Sequence, residues 1–199
     1  NKTMTPRTSN ELVSDLQVLG FLAPMNASVI FESVTGYGIT VTLDWDDWAS
    51  STINYGPQIQ VHHRATCSFR QPETLAVLGC VVRLLQKGYD PGHIELEKTW
   101  ALGHGRSGRL DILLHDPYGS PYAMIECKTA GNEYARERNN ILEDGGQVLS
   151  YFQQDRSVKA LYLYSNRIDE GRLTELAEFI RSDLLTGTNV EELYASWGG

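Results

Sequence analysis

Two segments, GRLDILL at residues 108–114 and AMIECK at residues 123–128, decide the fold of this chain of 199 residues. Each is a short apolar run of the kind that forms a buried strand. Between them lies HDPYGSP at residues 115–121, whose proline, glycine, aspartate and serine residues predict a turn. We therefore predict a hairpin that brings Asp111 close to Glu126.

The charged residues of this hairpin are spaced for a single sheet face. Side chains alternate along a strand, so Glu126 and Lys128 point to one side and Cys127 to the other. Two carboxylates beside an ammonium group suit a hard divalent cation next to a phosphate group. Mg²⁺ retains several waters, so Asp111, Glu126 and one backbone carbonyl, that of Cys127, suffice as protein ligands.

The chemistry that this pattern predicts is metal-dependent hydrolysis of a phosphodiester. In that hypothesis Lys128 orients or deprotonates the attacking water, or steadies the charge that develops on the phosphate. An ion pair between Glu126 and Lys128 on the surface of an edge strand is the alternative interpretation.

Composition and cysteine usage describe an ordinary soluble chain. It is 41% hydrophobic and 21% charged, as in typical globular proteins. No apolar run approaches the roughly 20 residues that span a bilayer, so we expect no membrane association. Residues 1–10 lack the apolar core of a signal peptide. Cys67, Cys80 and Cys127 lack metal-ligand spacing, which favours a reducing, cytoplasmic setting without structural zinc.

The net charge of −8 argues against a chain that only grips nucleic acid. A metal-dependent phosphodiesterase, however, needs clustered acids at its centre. Residues 100–109 carry Arg106 and Arg109 with no acid. We predict that these arginines contact DNA phosphates, with a merely solvated loop as the alternative.

Hydrophobic periodicity and turn residues predict the elements around the hairpin. Predicted helices lie at residues 9–20, 73–87, 133–154 (interrupted at Gly145-Gly146) and 169–185. Predicted strands lie at residues 27–44 (bulged or a hairpin), 58–69, 93–102 and 158–164, with a loop at residues 103–109. From residue 73 onward this order predicts an α/β core in which a mixed sheet lies between helices.

Three parts of the chain follow from this order. Residues 1–70 are predicted to form a β-rich N-terminal extension, and residues 71–185 the α/β core. Residues 186–199 are predicted to be a C-terminal tail or the start of a linker to a downstream domain. The acids at Glu95 and Glu97 alternate with apolar residues, which predicts a solvated face, and the mixed charges at residues 133–138 predict the same for that helix.

One more pair of polar residues lies after the hairpin. Gln147 and Tyr151 are four residues apart, so on a helix they share one face. They could contact a phosphate or a flanking nucleotide of a DNA substrate. A half-buried tyrosine beside a solvated glutamine is the alternative.

The arrangement of Asp111, then Glu126-Cys127-Lys128, then Gln147-x-x-x-Tyr151 resembles the PD-(D/E)xK nuclease superfamily. More narrowly, it resembles the N-terminal nuclease domain of the restriction subunits of type I restriction enzymes and their relatives. The similarity covers residues 73–166, and Leu110 stands where many members have proline. The resemblance implies a restriction-endonuclease-like core with a mixed central sheet flanked by helices.

The resemblance also implies roles for individual residues. Asp111 and Glu126 would bind Mg²⁺, with Mn²⁺ as a substitute, and Lys128 would be catalytic. The Gln–Tyr pair would be the accessory catalytic and DNA-contacting motif. Glu73, on the first core helix, matches an acid that many members point toward the metal.

The expected function is that of a Mg²⁺-dependent endonuclease domain of a restriction–modification system, acting on double-stranded DNA in the cytoplasm. The chain has no Gly-Lys-Ser/Thr phosphate loop and no Asn-Pro-Pro-Tyr. The chain is therefore either a stand-alone nuclease or, as we expect, part of a larger protein with a motor or a methyltransferase, in which it would dock other subunits or domains. Two alternatives stay open, a non-catalytic nucleic-acid-binding or subunit-docking module with a nuclease fold, and a repair or junction nuclease.

Overall fold

The structure is a computed structural model that describes residues 8–22, 28–103, 106–144 and 157–180. In chain order the elements are α1 (Ser9–Val18), β1 (Ser28–Glu32), β2 (Gly38–Thr42), β3 (Thr52–Asn54), β4 (Gln60–Val61), α2 (Thr74–Gln86), β5 (Ile94–Gly103), β6 (Arg106–His115), β7 (Pro121–Cys127), α3 (Asn132–Asp144), β8 (Ala160–Asp169) and β9 (Arg172–Phe179). None of the helices in these ranges is long and apolar enough to cross a membrane.

A mixed sheet of six strands, in the order β4-β5-β6-β7-β8-β9, is the framework of the protein. Strands β5, β6 and β7 are antiparallel neighbours, whereas β7 and β8 run parallel. Side chains alternate along β6, so Ile112 and Leu114 pack in the same apolar cluster as α2, and Leu113 packs with Ile141 of α3. The predicted α/β class, with a mixed sheet flanked by helices, is confirmed.

Helix α2 forms where an almost wholly apolar run allows burial of most of its surface. Arg83 lies in its last turn, and Gly88 follows with φ of 86°, a left-handed position that glycine adopts without strain. Inside the helix, a Cβ on Gly79 would lie 2.1 Å from Nδ2 of Asn166 on β8. The helix therefore lies close against β8, and Asn166 Nδ2 donates a hydrogen bond to the carbonyl of Leu75 at 3.0 Å.

The N-terminal residues form a second, antiparallel sheet in the order β1-β2-β3. The predicted helix near the N-terminus and the hairpin within residues 27–44 are both confirmed. Leu16 of α1 and Val29 and Val41 of this sheet are buried in the same apolar cluster as α2. The N-terminal residues and the large sheet thus share one hydrophobic core.

The prediction of a helix at residues 169–185 was wrong, because residues 172–179 form strand β9. Glu170 and Gly171 have φ of 50° and 76° and form a two-residue turn between Asp169 and Arg172. Two left-handed residues in succession match the right-handed twist of a hairpin and return the chain antiparallel to β8. Residues 181–199, which include the predicted tail, lie outside the described ranges.

Two further local predictions were also wrong. Of the strand expected at residues 58–69, only Gln60–Val61 pairs with β5, and the chain then turns through a short 3-10 helix at Ala65–Cys67. Of the loop expected at residues 103–109, Gly103 belongs to β5 and residues 106–109 belong to β6, and Gly103 pairs with Arg106. Gly103 and Gly108 therefore lie within strands.

Candidate active site

The predicted hairpin of β6 and β7 is confirmed, and it brings three of the predicted site residues together. Ile112 pairs with Ile125, a register that sets Asp111 opposite Glu126. Oδ2 of Asp111 accepts a hydrogen bond from the backbone N–H of Cys127 at 2.8 Å. Lys128 follows β7 directly, and its Nζ lies 3.9 Å from Oε2 of Glu126.

These side chains line one cavity of about 380 Å³ at the end of β7. Its lining is mostly polar and contains three acids and two cationic side chains. The residues that form it are His63, Glu73, Thr99, Arg109, Asp111, Glu126 and Lys128. Glu73 reaches it from the N-terminus of α2, and its role as a metal ligand, which the resemblance implies, stays a prediction.

Burial determines the electrostatics of the two central acids. It raises the pKa of Asp111 to about 7, although the hydrogen bond from Cys127 and the charge of Lys128 act in the opposite direction. Burial, and next the negative charge of Asp111, raise the pKa of Glu126 well above its ordinary value. Near neutral pH the metal-free pair therefore retains a proton that an exposed pair would lose.

Lys128 is held in its charged form. Burial lowers the pKa of its ammonium group, but the carboxylates of Glu126, Glu137, Asp111 and Glu73 outweigh that effect and raise the pKa above its ordinary value. Lys128 is therefore an ammonium group at neutral pH and acts as a donor of hydrogen bonds and positive charge.

Several carboxylate oxygens around the cavity are buried and accept no hydrogen bond within the described residues. They are Oε2 of Glu73 and Oε1 of Glu97, Glu126 and Glu137. A buried acceptor without a partner typically destabilises a protein by about 1–3 kcal/mol. A cation bound among them would supply contacts that these oxygens lack within the described residues.

The donor set fits Mg²⁺, the metal that the sequence predicts. Carboxylate oxygens are hard ligands, and Mg²⁺ needs only one or two of them because it keeps several waters. Across residues 8–22, 28–103, 106–144 and 157–180, no three His, Cys, Asp or Glu side chains are gathered tightly enough to cage an ion. Asp111 and Glu126, with waters, are the pair that would hold it.

Glu97 on β5 belongs to this site, and the sequence prediction of a solvated face for it was wrong. The pairs Leu96–Ile112 and Lys98–Leu110 set Glu97 opposite Asp111. Glu97 is fully buried, and its φ of 55° lies in the left-handed region. Such a conformation costs about 1–3 kcal/mol for a residue other than glycine. Only the pairing of β5 with β6, which the sequence analysis did not predict, places this acid opposite Asp111.

Two other acids were also predicted to be solvated and are buried. Glu137 of α3 is 9% exposed, and its charge helps to raise the pKa values of Glu126 and Lys128. Glu95 of β5 is 7% exposed, and its Oε1 lies 2.7 Å from Nε2 of His62. The ring of His115 contacts the other oxygen of Glu95, so this carboxylate has two imidazole partners.

The remaining predicted residues divide into two groups. Arg109 lines the cavity. Cys127 is buried, and the role of its backbone carbonyl as a metal ligand stays a prediction. Arg106 begins β6, but its side chain lies outside the described part of the chain. Gln147 and Tyr151 also lie outside it.

Comparison with protein-family models and with curated proteins finds no match for this chain. The likeness to PD-(D/E)xK nucleases therefore depends on Asp111, Glu126 and Lys128 and on the sheet that carries them. Their arrangement is the basis for the function proposed next.

Proposed function

We propose that this chain is a Mg²⁺-dependent DNA endonuclease domain with a PD-(D/E)xK-like core. The observation that carries the proposal is the cavity in which Asp111 and Glu126 face each other across β6 and β7, with Nζ of Lys128 at 3.9 Å from Glu126. Because Asp111, Glu126 and Lys128 resemble the motif of restriction-enzyme nuclease domains, we further propose that the chain belongs to a cytoplasmic restriction system. In such a system a larger protein would supply DNA translocation or methylation. Double-stranded DNA is the proposed substrate.

In the proposed reaction the chain holds the reacting groups in place. Asp111 and Glu126 bind Mg²⁺, which when present lowers the pKa of water and neutralises charge on the phosphate. Lys128, as an ammonium group, donates hydrogen bonds to the attacking water or to a phosphate oxygen and stabilises the charge that develops there. Its raised pKa favours this role over that of a general base.

Arg109 is the proposed phosphate contact at the mouth of the cavity. Its side chain is 42% exposed, while Glu97 and Glu126 are buried. A guanidinium group matches the geometry of a phosphate and can approach it with two parallel N–H bonds. Such a contact positions the DNA backbone without reading its sequence.

The test is cleavage of supercoiled and linear DNA in Mg²⁺ and in Mn²⁺. We expect nicking by the wild type and none by Asp111→Asn or Lys128→Met, since each removes a group that faces the reacting phosphate. The matched control is Asp46→Asn, which neutralises an exposed loop aspartate remote in sequence from the site. Branched DNA, single-stranded DNA and RNA in the same assay distinguish a repair or junction nuclease. Cleavage by Lys128→Met at the wild-type rate would refute the assignment.

A non-catalytic nucleic-acid-binding or docking module is the second candidate, and the net charge of −8 favours it. The unpartnered buried oxygens around Lys128 oppose it, because a module without metal gains nothing from them. Thermal unfolding with increasing Mg²⁺ separates the two, since a ligand that binds only the folded state raises the melting temperature. We expect a rise in the wild type and none in Asp111→Asn. An unchanged melting temperature in both favours the docking module.

A further inference from the structure

Glu97 combines three features that the fold itself does not need. It is fully buried, its backbone is left-handed, and its Oε1 accepts no hydrogen bond within the described residues. An asparagine or glycine would adopt that backbone with less strain. A strained, buried acid beside a candidate active site is the kind of outlier that indicates a functional constraint.

The contacts of Glu97 point to one neighbour. Its Oε2 accepts a long hydrogen bond of 3.4 Å from the backbone N–H of Thr66, which fixes the carboxylate from behind. Its Oε1 lies 3.7 Å from Nε of Arg109. On the other side, Nη1 of Arg109 lies 3.5 Å from Nδ1 of His63. The guanidinium thus lies between a buried carboxylate and an imidazole.

This geometry also explains the position of Arg109. Arg109 is two residues from Asp111 on β6, so both side chains are on the same face of the sheet. Glu97 lies opposite Asp111 in the register of β5 and β6. One buried carboxylate therefore lies beside both the proposed cation ligand and the arginine at the cavity mouth.

We propose that Glu97 is a positioning residue that holds the guanidinium of Arg109 at the cavity mouth, where it grips a backbone phosphate of the DNA next to the cleaved one. This inference rests on the proposed nuclease function. Glu97 acts on Nε, and a guanidinium has further N–H donors for the fork that a phosphate accepts. Without the carboxylate, Arg109 keeps its charge but loses the contact at Nε that helps to orient it.

The test is a double-mutant cycle with Glu97→Gln, Arg109→Gln and the double variant. The matched control is Glu133→Gln with Arg136→Gln, an exposed ion pair of α3 with 3.4 Å between its charged atoms. Each variant is assayed for kcat and KM on DNA in Mg²⁺, and for DNA binding in EDTA over a range of salt concentrations. Melting temperatures establish that each variant is folded, and Glu97→Asn, which tolerates the left-handed backbone, replaces Glu97→Gln if that variant does not fold.

We expect each single variant to raise KM with little change in kcat. Loss of one phosphate contact lowers the slope of log affinity against log salt by about one. The double variant behaves like Arg109→Gln alone, because residues that act through one contact are not additive. The control pair leaves KM and slope unchanged.

Three outcomes separate the possibilities. A wild-type KM and salt slope in Glu97→Gln, or additive losses in the double variant, overturn the inference while the nuclease proposal stands. DNA binding with the expected coupling but no cleavage by the wild type overturns the nuclease proposal and supports the link between Glu97 and Arg109. A wild type that does not bind DNA overturns both.

Discussion

Neutralising Asp111 is expected to make the metal-free protein more stable while abolishing its proposed activity. The carboxyl is half-buried beside the buried Glu126, and desolvation raises its pKa from 3.8 to about 7. A carboxyl whose pKa is higher in the folded state binds more protons there than in the unfolded chain. The free energy of unfolding therefore falls as pH rises from about 4 to about 7, and the penalty is constant above that range.

The size of this effect follows from the same shift. Each pKa unit corresponds to about 1.4 kcal/mol, so a shift of about three units corresponds to at most about 4 kcal/mol at pH 8. In Asp111→Asn this penalty disappears. The amide oxygen of asparagine can still accept the hydrogen bond from the N–H of Cys127, which lies 2.8 Å from Oδ2. We expect the variant to match the wild type near pH 4 and to exceed it increasingly toward pH 8.

Urea unfolding in EDTA across this pH range measures the difference directly. The exposed loop variant Asp46→Asn is measured in the same way as the matched control. Addition of Mg²⁺ at pH 8 is expected to stabilise the wild type and not Asp111→Asn. An Asp111→Asn protein that is less stable than the wild type at pH 8 without metal would refute the idea that a buried, repelled carboxylate occupies this position.

Three more predictions concern Lys128, the binding of Mg²⁺ and Gly79. Lys128→Met is expected to lower kcat by about 100-fold or more, because it removes a group that stabilises charge in the transition state. Steady-state cleavage assays measure kcat and KM, and an effect on KM alone would contradict this prediction. Mg²⁺ at about 100 times its Kd is expected to add about 2.7 kcal/mol to the free energy of unfolding, with weaker apparent affinity at pH 6 than at pH 8 because protons compete at Asp111 and Glu126. Calorimetric titration with Mg²⁺ at both pH values measures the affinity, and equal affinities at pH 6 and pH 8 would count against Asp111 and Glu126 as ligands. Gly79→Ala is expected to destabilise the protein by about 1–3 kcal/mol in urea unfolding, because its Cβ would lie 2.1 Å from Nδ2 of Asn166; wild-type stability would show that the helix shifts at no cost.

The part of the site that the sequence predicts is the part set by local rules. Alternation along a strand and a turn rich in proline and glycine suffice to place Asp111, Glu126 and Lys128 together. Glu97 could not be placed in that way. Its position opposite Asp111 depends on the pairing of β5 with β6, and the glycines at residues 103–108 predicted a loop that hid this pairing.

The error at β9 has a similar origin. Leu173, Leu176 and Ile180 have the spacing of an amphipathic helix, but the turn at Glu170 and Gly171 and the pairing with β8 decide the structure. Polar contacts across the sheet strengthen that pairing, as in the hydrogen bond from Tyr164 to Glu175 at 2.6 Å. A pattern of residues within one segment contains no information about such partners.

Because α2 packs so closely against β8 at Gly79, a tilt of the helix there would move Glu73 relative to the proposed cation site. Glu73 precedes Gly79 by six residues, which is about 9 Å along the axis of a helix that rises 1.5 Å per residue. If β8 acts as the fulcrum at Gly79, a tilt of about 10° moves the far end by about 1.6 Å. Displacements of about 1 Å are enough to slow a reaction 100-fold. The absence of a single methyl group at Gly79, on the opposite side of the sheet from α3, thereby sets the distance between Glu73 and the proposed cation.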